Sequence, residues 1–163
     1  MLTMSVMQGL TGFLAGVAAG IVMGVVSDIA ARLRLFRSSL FVIDGNFLLR
    51  SLGIQSNPHA VYVTGIPVHL ATSGVFGAFY TAGTSLAGLQ TFSAWLTALY
   101  VLLLWLAMLF IALPLAGQGF LGGKAGRSTW LEQLALHVVF FAVYYGMLQV
   151  IWPALPAFSQ AIR

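Results

Sequence analysis

The chain has 163 residues, of which 60% are hydrophobic and only 6% are charged. Soluble domains carry roughly 25% charged residues, so this composition excludes a water-soluble globule and indicates one integral membrane domain over residues 1–163. The formal net charge of +4 rests on only seven lysines and arginines, which argues against a nucleic-acid partner. The absence of cysteine excludes disulfides and thiolate metal sites.

Four apolar stretches are predicted to be transmembrane helices, which makes the fold class all-α. Each is long enough to cross a hydrocarbon core of about 30 Å at roughly 1.5 Å per residue. The leucine-rich third stretch shows no alternation of apolar and polar positions, which argues against a membrane-spanning β-barrel. The predicted spans cover residues 4–27, 62–86, 92–116 and 130–152.

The first predicted span carries small residues on one face. Glycine recurs at every fourth position, as Gly12, Gly16, Gly20 and Gly24, and the second span has a shorter version in Gly74 and Gly77. Small residues at this spacing let two helices approach closely, which matters in lipid because burial of apolar surface alone does not drive helices together. We therefore predict that the first and second spans pack against each other within one chain. A homo-oligomer formed through the same face is the alternative.

The only long connection, residues 28–60, is predicted to be an interfacial amphipathic segment. Its basic residues are Arg32, Arg34, Arg37 and Arg50. The stretch "SDIAARLRLFRSSLF" continues a helical pattern, so that its leucines can enter lipid while the arginines contact anionic headgroups. The following stretch, "VIDGNFLLRSLG", is typical of a turn at residues 44–46 and a second short amphipathic piece.

The distribution of basic residues predicts the orientation. Six of the seven lie in the first connection and, as Lys124 and Arg127, in the third, whereas the second connection, "GLQT", has none; the seventh is Arg163. Short cytoplasmic loops carry the excess of lysine and arginine. We therefore expect a multi-pass protein of a bacterial inner membrane with both termini outside the cytoplasm.

The fourth span begins with Thr129 and Glu132, at the spacing of a capping box. In such a box the hydroxyl and the carboxylate bind free backbone N–H groups of the first helical turn. We therefore predict a structural role for Glu132, with Lys124 or Arg127 as a pairing partner. A proton-handling or ligand-binding carboxylate is the alternative.

Two histidines are predicted to lie inside the membrane. His69 begins the run "HLATSGVFGAFY" in the second span, and His137 lies about two turns into the fourth. Both spans run outward from the cytoplasmic side, so the two rings are expected at comparable depth. Ionisable residues in a membrane usually face the bundle interior and are site candidates by default.

Three interpretations of the histidines stay open. Each ring can remain neutral and bind a hydroxyl or a backbone carbonyl across the bundle. The pair can instead hold one b-type haem through both axial positions, although the sequence favours no cofactor. In the third interpretation His69, His137 and Glu132 handle protons or bind a small ligand in a transporter-like cavity.

Three stretches carry a resemblance to a known group: "GFLAGVAAGIVMGVVSDIAARLRLF", "NFLLRSLG" and "GIPVHLATSGVFGAFY". With this layout the chain resembles small four-helix bacterial inner-membrane proteins that are classed as domains of unknown function. The stretch "LHVVFFAVYYG" in the fourth span extends the resemblance. It implies a four-span fold and no activity.

The sequence favours a non-catalytic protein, because it has no phosphate-binding glycine loop and too few carboxylates for an acid–base pair or a two-metal site. We expect an accessory or structural subunit that contacts lipid and other membrane proteins through its bulky third span and its basic first connection. A small-molecule or proton-coupled transporter and a bis-histidine b-haem electron-transfer subunit are the alternatives.

Overall fold

The computed structural model is all-helical in the part of the chain that it describes, residues 2–161, with side chains described for residues 6–151. Arg163 lies outside the described residues. The helices are α1 (Leu2–Arg32), α2 (Leu40–Ser51), α3 (Pro58–Leu86), α4 (Ala94–Leu115) and α5 (Thr129–Ala161). All except α2 are long and apolar enough to cross a membrane. The predicted all-α fold with four membrane spans is therefore confirmed.

Two helix boundaries differ from the predicted positions. The Asn57 side chain accepts a hydrogen bond from the Ala60 N–H at 2.8 Å, so α3 begins at Pro58, before the predicted start. His59, which falls within the predicted connection 28–60, therefore lies in the first turn of α3 and is exposed. At the other end of the chain, α5 continues to Ala161, past the predicted end of the fourth span.

The connection between α1 and α3 departs most from the sequence prediction. Leu33 and Leu35 are exposed, as a lipid-facing segment requires. The α2 helix, however, packs into the bundle through the fully buried Leu40 and Ile43. Its start is held by the buried hydroxyl of Ser27 in α1, which accepts a hydrogen bond from the Leu40 N–H at 2.9 Å.

The predicted turn at residues 44–46 is wrong, because these residues lie in the middle of α2. Glycine is needed there for a close approach of two helices. A Cβ atom on Gly45 would overlap the carbonyl oxygen of Val61 in α3, and one on Gly65 would overlap the carbonyl oxygen of Phe41 in α2. The "DG" pair thus lies at a helix crossing. An Asp-Gly pair is usually a signal for a turn, whereas here the glycine allows two helices to contact each other closely.

The face of α1 that carries the glycine ladder packs on α3. A Cβ atom on Gly12 would overlap the carbonyl of Gly77, and one on Gly16 would overlap the carbonyl of Ser73. Gly20 lies against the Ser73 side chain in the same interface. Gly24 lies against the Phe41 ring of α2, and Gly74 of α3 lies against Phe13 of α1. All six glycines of the predicted packing set therefore lie in contacts between helices of one chain.

Two of the spans contain prolines that interrupt the regular helical hydrogen bonding. Pro67 lies within α3, and its missing N–H leaves the Val63 carbonyl without its usual helical partner. In α4 a π-helical turn, Met108–Ala112, precedes Pro114. Prolines and π-turns are places where helices bend and where functional sites often occur.

The α4 helix is the least enclosed of the spans. Its outer face exposes large apolar side chains along its whole length, as the sequence predicts for a span that faces lipid or a partner. They include Trp95, Leu103, Phe110 and Ile111.

Candidate functional site

A cavity of about 230 Å³ lies between α3 and α4 and is partly open at the side of the bundle. Its lining is mostly apolar, but it includes Asp44 and both candidate histidines. The lining residues are Met23, Asp44, Phe47, Val68, His69, Thr72, Ser73, Phe76, Leu104, Ala107, Met108, Ile111, Ala112, His137 and Phe140. The π-turn of α4 contributes three of them.

Two tyrosines close one end of the gap between α3 and α4. The Tyr100 hydroxyl of α4 donates to the Phe76 carbonyl of α3 at 2.8 Å. Nearer the loop that joins the two helices, the hydroxyls of Tyr80 and Thr97 are 2.8 Å apart and share a hydrogen bond. The rim includes Phe76 and Ile111, which are exposed on the apolar outer surface. The cavity therefore opens sideways, toward the region that lipid chains fill around a membrane span.

His69 connects three helices at the wall of this cavity. Its Nδ1 atom lies 2.7 Å from Oδ2 of Asp44 in α2, and its Nε2 atom lies 3.0 Å from the carbonyl oxygen of Gly20 in α1. Both side chains are buried: His69 is 4% exposed and Asp44 is 9% exposed. A Cβ atom on Gly24, one turn later in α1, would come within 3.2 Å of the His69 ring, so the absence of a side chain there leaves room for the ring.

The geometry of this chain of hydrogen bonds fixes the number of protons in it. A carbonyl oxygen only accepts, so the Nε2 atom of His69 must carry hydrogen toward Gly20. A second proton must then lie between Nδ1 and the Asp44 carboxyl group, because otherwise two lone pairs would face each other. The pair is therefore either a protonated carboxyl beside a neutral imidazole or a carboxylate beside an imidazolium. In both forms its net charge is zero.

His137 lines the same cavity and also a second one between α4 and α5. Its Nδ1 atom lies 2.8 Å from the carbonyl oxygen of Gln133, one turn earlier in α5. A carbonyl only accepts, so Nδ1 is the protonated nitrogen of the neutral ring and Nε2 carries a lone pair. In the described part of the chain, that Nε2 atom has no hydrogen-bond partner. The structure thus brings the two predicted histidines to the lining of one cavity and leaves one acceptor nitrogen of His137 without a partner.

With this geometry established, comparisons of the chain with protein-family models, curated proteins and solved structures find no match. The resemblance to small four-helix inner-membrane proteins therefore stays a prediction.

Glu132 lies away from the cavity and makes a structural tie. Its Oε1 accepts from the Ser128 hydroxyl at 2.7 Å, and its Oε2 accepts from the Arg37 backbone N–H at 2.9 Å. The Thr129 hydroxyl donates instead to the Gly126 carbonyl at 2.9 Å, so the predicted Thr129–Glu132 box is replaced by a contact with Ser128. Within residues 6–151, no ion pair joins Glu132 to Lys124 or Arg127.

We expect Glu132→Ala to lower the free energy of unfolding by about 1 kcal/mol, because it leaves a partly buried backbone N–H and a hydroxyl without their acceptor. Equilibrium unfolding in mixed detergent micelles measures this loss. Glu132→Gln is the matched control, since its amide oxygen can still accept from the Arg37 N–H. Equal stability of Glu132→Ala and wild type would show that the tie contributes nothing.

The four arginines of the first connection are exposed at the same end of the bundle as Lys124 and Arg127. Arg32 pairs with Asp28 one turn earlier, with a nitrogen–oxygen distance of 2.6 Å. The Arg50 guanidinium donates to the Ala116 carbonyl at the end of α4, at 3.5 Å. Arg34 adopts a left-handed backbone conformation, with φ of 59°, where the chain turns after α1.

The donor set at His69 does not fit a haem. Axial ligation needs a free ring nitrogen, and both nitrogens of His69 are already within hydrogen-bond distance of Asp44 and Gly20. Ligation by Nε2 would break the contact between α1 and α3 that the Gly20 carbonyl makes. Nor does any group of three His, Asp or Glu side chains suited to a metal ion occur among residues 6–151.

Sequence reasoning missed Asp44, which it treated as a turn residue. A signal was available: Asp44 is one of only three acidic residues, and an "IDGN" stretch inside an apolar run is costly unless the carboxyl finds a partner. The pattern could not reveal that the partner is His69, which lies 25 residues further along the chain on another helix.

Proposed function

We propose that this protein is a proton-coupled carrier of a small molecule. The observation that supports the proposal most is the buried Asp44–His69 pair at the wall of a cavity that opens between two membrane spans. Buried ionisable groups inside a membrane are costly and usually mark proton or substrate pathways. The pair meets this description because its hydrogen bonds place one shared proton between two buried ionisable side chains.

Loss of that proton is coupled to the arrangement of the helices. The deprotonated pair has a single N–H left on His69 for two acceptors, Asp44 and the Gly20 carbonyl. One of the two contacts must then weaken, and these contacts join α3 to α2 and to α1. Pro67 in α3 and the π-turn of α4 supply positions near the cavity where the spans can bend in response.

The proposal includes a bacterial inner membrane with both termini outside the cytoplasm. Six basic residues at one end of the bundle support this orientation, because cytoplasmic loops carry the excess of positive charge. The same exposed arginines can contact anionic lipid headgroups. In this orientation the Tyr80 and Tyr100 contacts lie on the extracytoplasmic side of the cavity.

Proton movement in proteoliposomes tests the carrier. Vesicles that contain the purified protein and an internal pH-sensitive dye are given a pH gradient, and small amphiphilic cations, neutral molecules and anions are added separately. At least one class is expected to dissipate the gradient through the wild-type protein and not through Asp44→Asn, which keeps the shape but replaces the ionisable carboxyl group with an amide. A gradient that survives every addition to folded protein contradicts the proposal.

An accessory subunit is the second candidate, and the broad apolar face of α4 favours it. Trp95 is 75% exposed and Ile111 is 57% exposed on that face, which a neighbouring membrane protein could cover. The two candidates differ in what the purified protein does alone. A carrier moves solute without a partner, whereas an accessory subunit has no activity in vesicles until its partner is added.

A further inference from the structure

We infer that the cavity binds a small lipophilic cation with N–H donors, an alkylguanidinium or alkylammonium ion, in exchange for the proton of the Asp44–His69 pair. This inference rests on the proposed function and names its substrate class.

Two residues that line the cavity carry acceptor atoms without a partner; the Ser73 hydroxyl, which also lines it, has no hydrogen-bond partner in the described part of the chain and can donate or accept. Oδ1 of Asp44 and Nε2 of His137 have no hydrogen-bond partner in the described part of the chain. The Thr72 hydroxyl is already used, because it donates to the carbonyls of Val68 and His69 at 2.8 and 3.0 Å. A ligand that satisfies these two atoms must donate hydrogen bonds to both.

Charge balance selects a cation among the possible donors. Asp44, His69 and His137 are the titratable residues that line the cavity in the described chain. The other charged groups on the helices packed around it lie at helix ends outside the lining: Asp28, Arg32, Arg50 and Glu132. When the proton leaves, the pair changes from net zero to one negative charge. A monovalent cation restores neutrality, so one proton leaves for each cation that binds.

The rest of the cavity is apolar and suits an alkyl chain. Val68 and Phe76 of α3 face Leu104, Met108 and Ile111 of α4 across the gap. At about 230 Å³, the space is below the roughly 300–1,000 Å³ typical of pockets for larger ligands. The side opening between α3 and α4 lets such a molecule enter from the lipid, where amphiphilic cations accumulate.

Three probes of similar length but different charge test whether the cavity selects its ligand by charge or by shape. Hexylguanidinium is permanently charged and carries N–H donors, hexylurea has nearly the same head group without the charge, and hexanoate is an anion. Each is titrated into nanodiscs that hold the purified protein, and bound ligand and released protons are measured together. Because hexylguanidinium cannot cross lipid as a neutral base, it is also added to the dye-loaded proteoliposomes.

We expect wild type to bind hexylguanidinium with release of about one proton per cation, and to bind hexylurea at least roughly ten-fold more weakly, since a hydrogen bond to a charged group is then lost. Asp44→Asn should bind hexylguanidinium roughly ten-fold more weakly and release no proton. Ala107→Phe, which fills part of the cavity from α4 and leaves Asp44 and His69 unchanged, should also reduce binding of hexylguanidinium.

The outcomes separate the inference from the proposed function. Binding and proton flux with hexylurea or hexanoate in place of hexylguanidinium would overturn the cation assignment and leave the proton-coupled carrier standing. Hexylguanidinium binding that Ala107→Phe and Asp44→Asn do not change would place the cation elsewhere and overturn the assignment too. If none of the three probes binds, the cation assignment fails, and if the gradient also survives every other cation, neutral molecule and anion added, the proposed function fails with it.

Discussion

Gly77→Ala is expected to lower the free energy of unfolding by about 3 kcal/mol, a large effect for one added methyl group. The new Cβ atom would overlap the carbonyl oxygen of Gly12 and come within 3.0 Å of the Gly16 Cα. Both are backbone atoms that cannot rotate away, so α1 and α3 must separate. The cost includes the hydrogen bond that the Gly77 carbonyl accepts from the buried Tyr144 hydroxyl at 2.7 Å. Overpacking of this kind typically costs about 1–3 kcal/mol and sometimes more.

Gly83→Ala is the matched control in the same helix. No atom lies within 4 Å of the Cβ that this substitution would add. We expect its free energy of unfolding to stay within about 1 kcal/mol of wild type, since glycine is intrinsically less favourable than alanine in a helix by that amount. Both variants are compared by equilibrium unfolding in mixed detergent micelles. Equal losses for Gly77→Ala and Gly83→Ala would contradict the close contact between α1 and α3.

Asp44→Ala is expected to lower the free energy of unfolding by about 1–3 kcal/mol, because His69 then loses the partner of a buried ring nitrogen. Asp44→Asn is expected to stay within about 1 kcal/mol of wild type. Its amide can donate to Nδ1 of His69 while Nε2 still donates to the Gly20 carbonyl, so both hydrogen bonds survive with a neutral ring. The same unfolding measurement compares the two variants.

The comparison also identifies which form of the pair the protein uses. If Asp44→Asn is as stable as wild type, the neutral form of the pair satisfies the site. If Asp44→Asn unfolds as readily as Asp44→Ala, hydrogen bonding alone is insufficient and the ionised pair is required. The ¹⁵N chemical shifts of the His69 ring nitrogens provide an independent readout, since protonation at both nitrogens distinguishes imidazolium from imidazole.

For the two histidines, the residue pattern predicted their depth in the membrane but not their role. Their positions near the starts of two parallel spans predicted comparable depth, and both rings line the cavity. The pattern gave no means of choosing between haem ligation, proton handling and a structural role. That choice depends on what each nitrogen contacts, and for His69 the contacts are a carboxyl on α2 and a carbonyl on α1.

For Glu132 the local pattern predicted a structural role but not the groups that it contacts. Its local spacing to Thr129 predicted a cap within the first turn of α5, and the structure uses a different neighbour, Ser128. Its second contact, with the Arg37 backbone, lies 95 residues away in the chain. Local sequence patterns describe groups within one or two turns, so they cannot predict which distant segment will supply the remaining donor.

The long apolar stretches were enough to predict the all-α class and the four spans. In a membrane every backbone polar group must be satisfied internally, so long apolar stretches have few structures available to them. Helix packing, in contrast, brings α2 into the bundle, makes Gly45 and Gly65 a helix crossing and places Asp44 beside His69. These contacts join segments far apart in the chain, and they depend on how the helices are rotated and offset. The mean hydropathy of a span carries no information on its rotation or its offset.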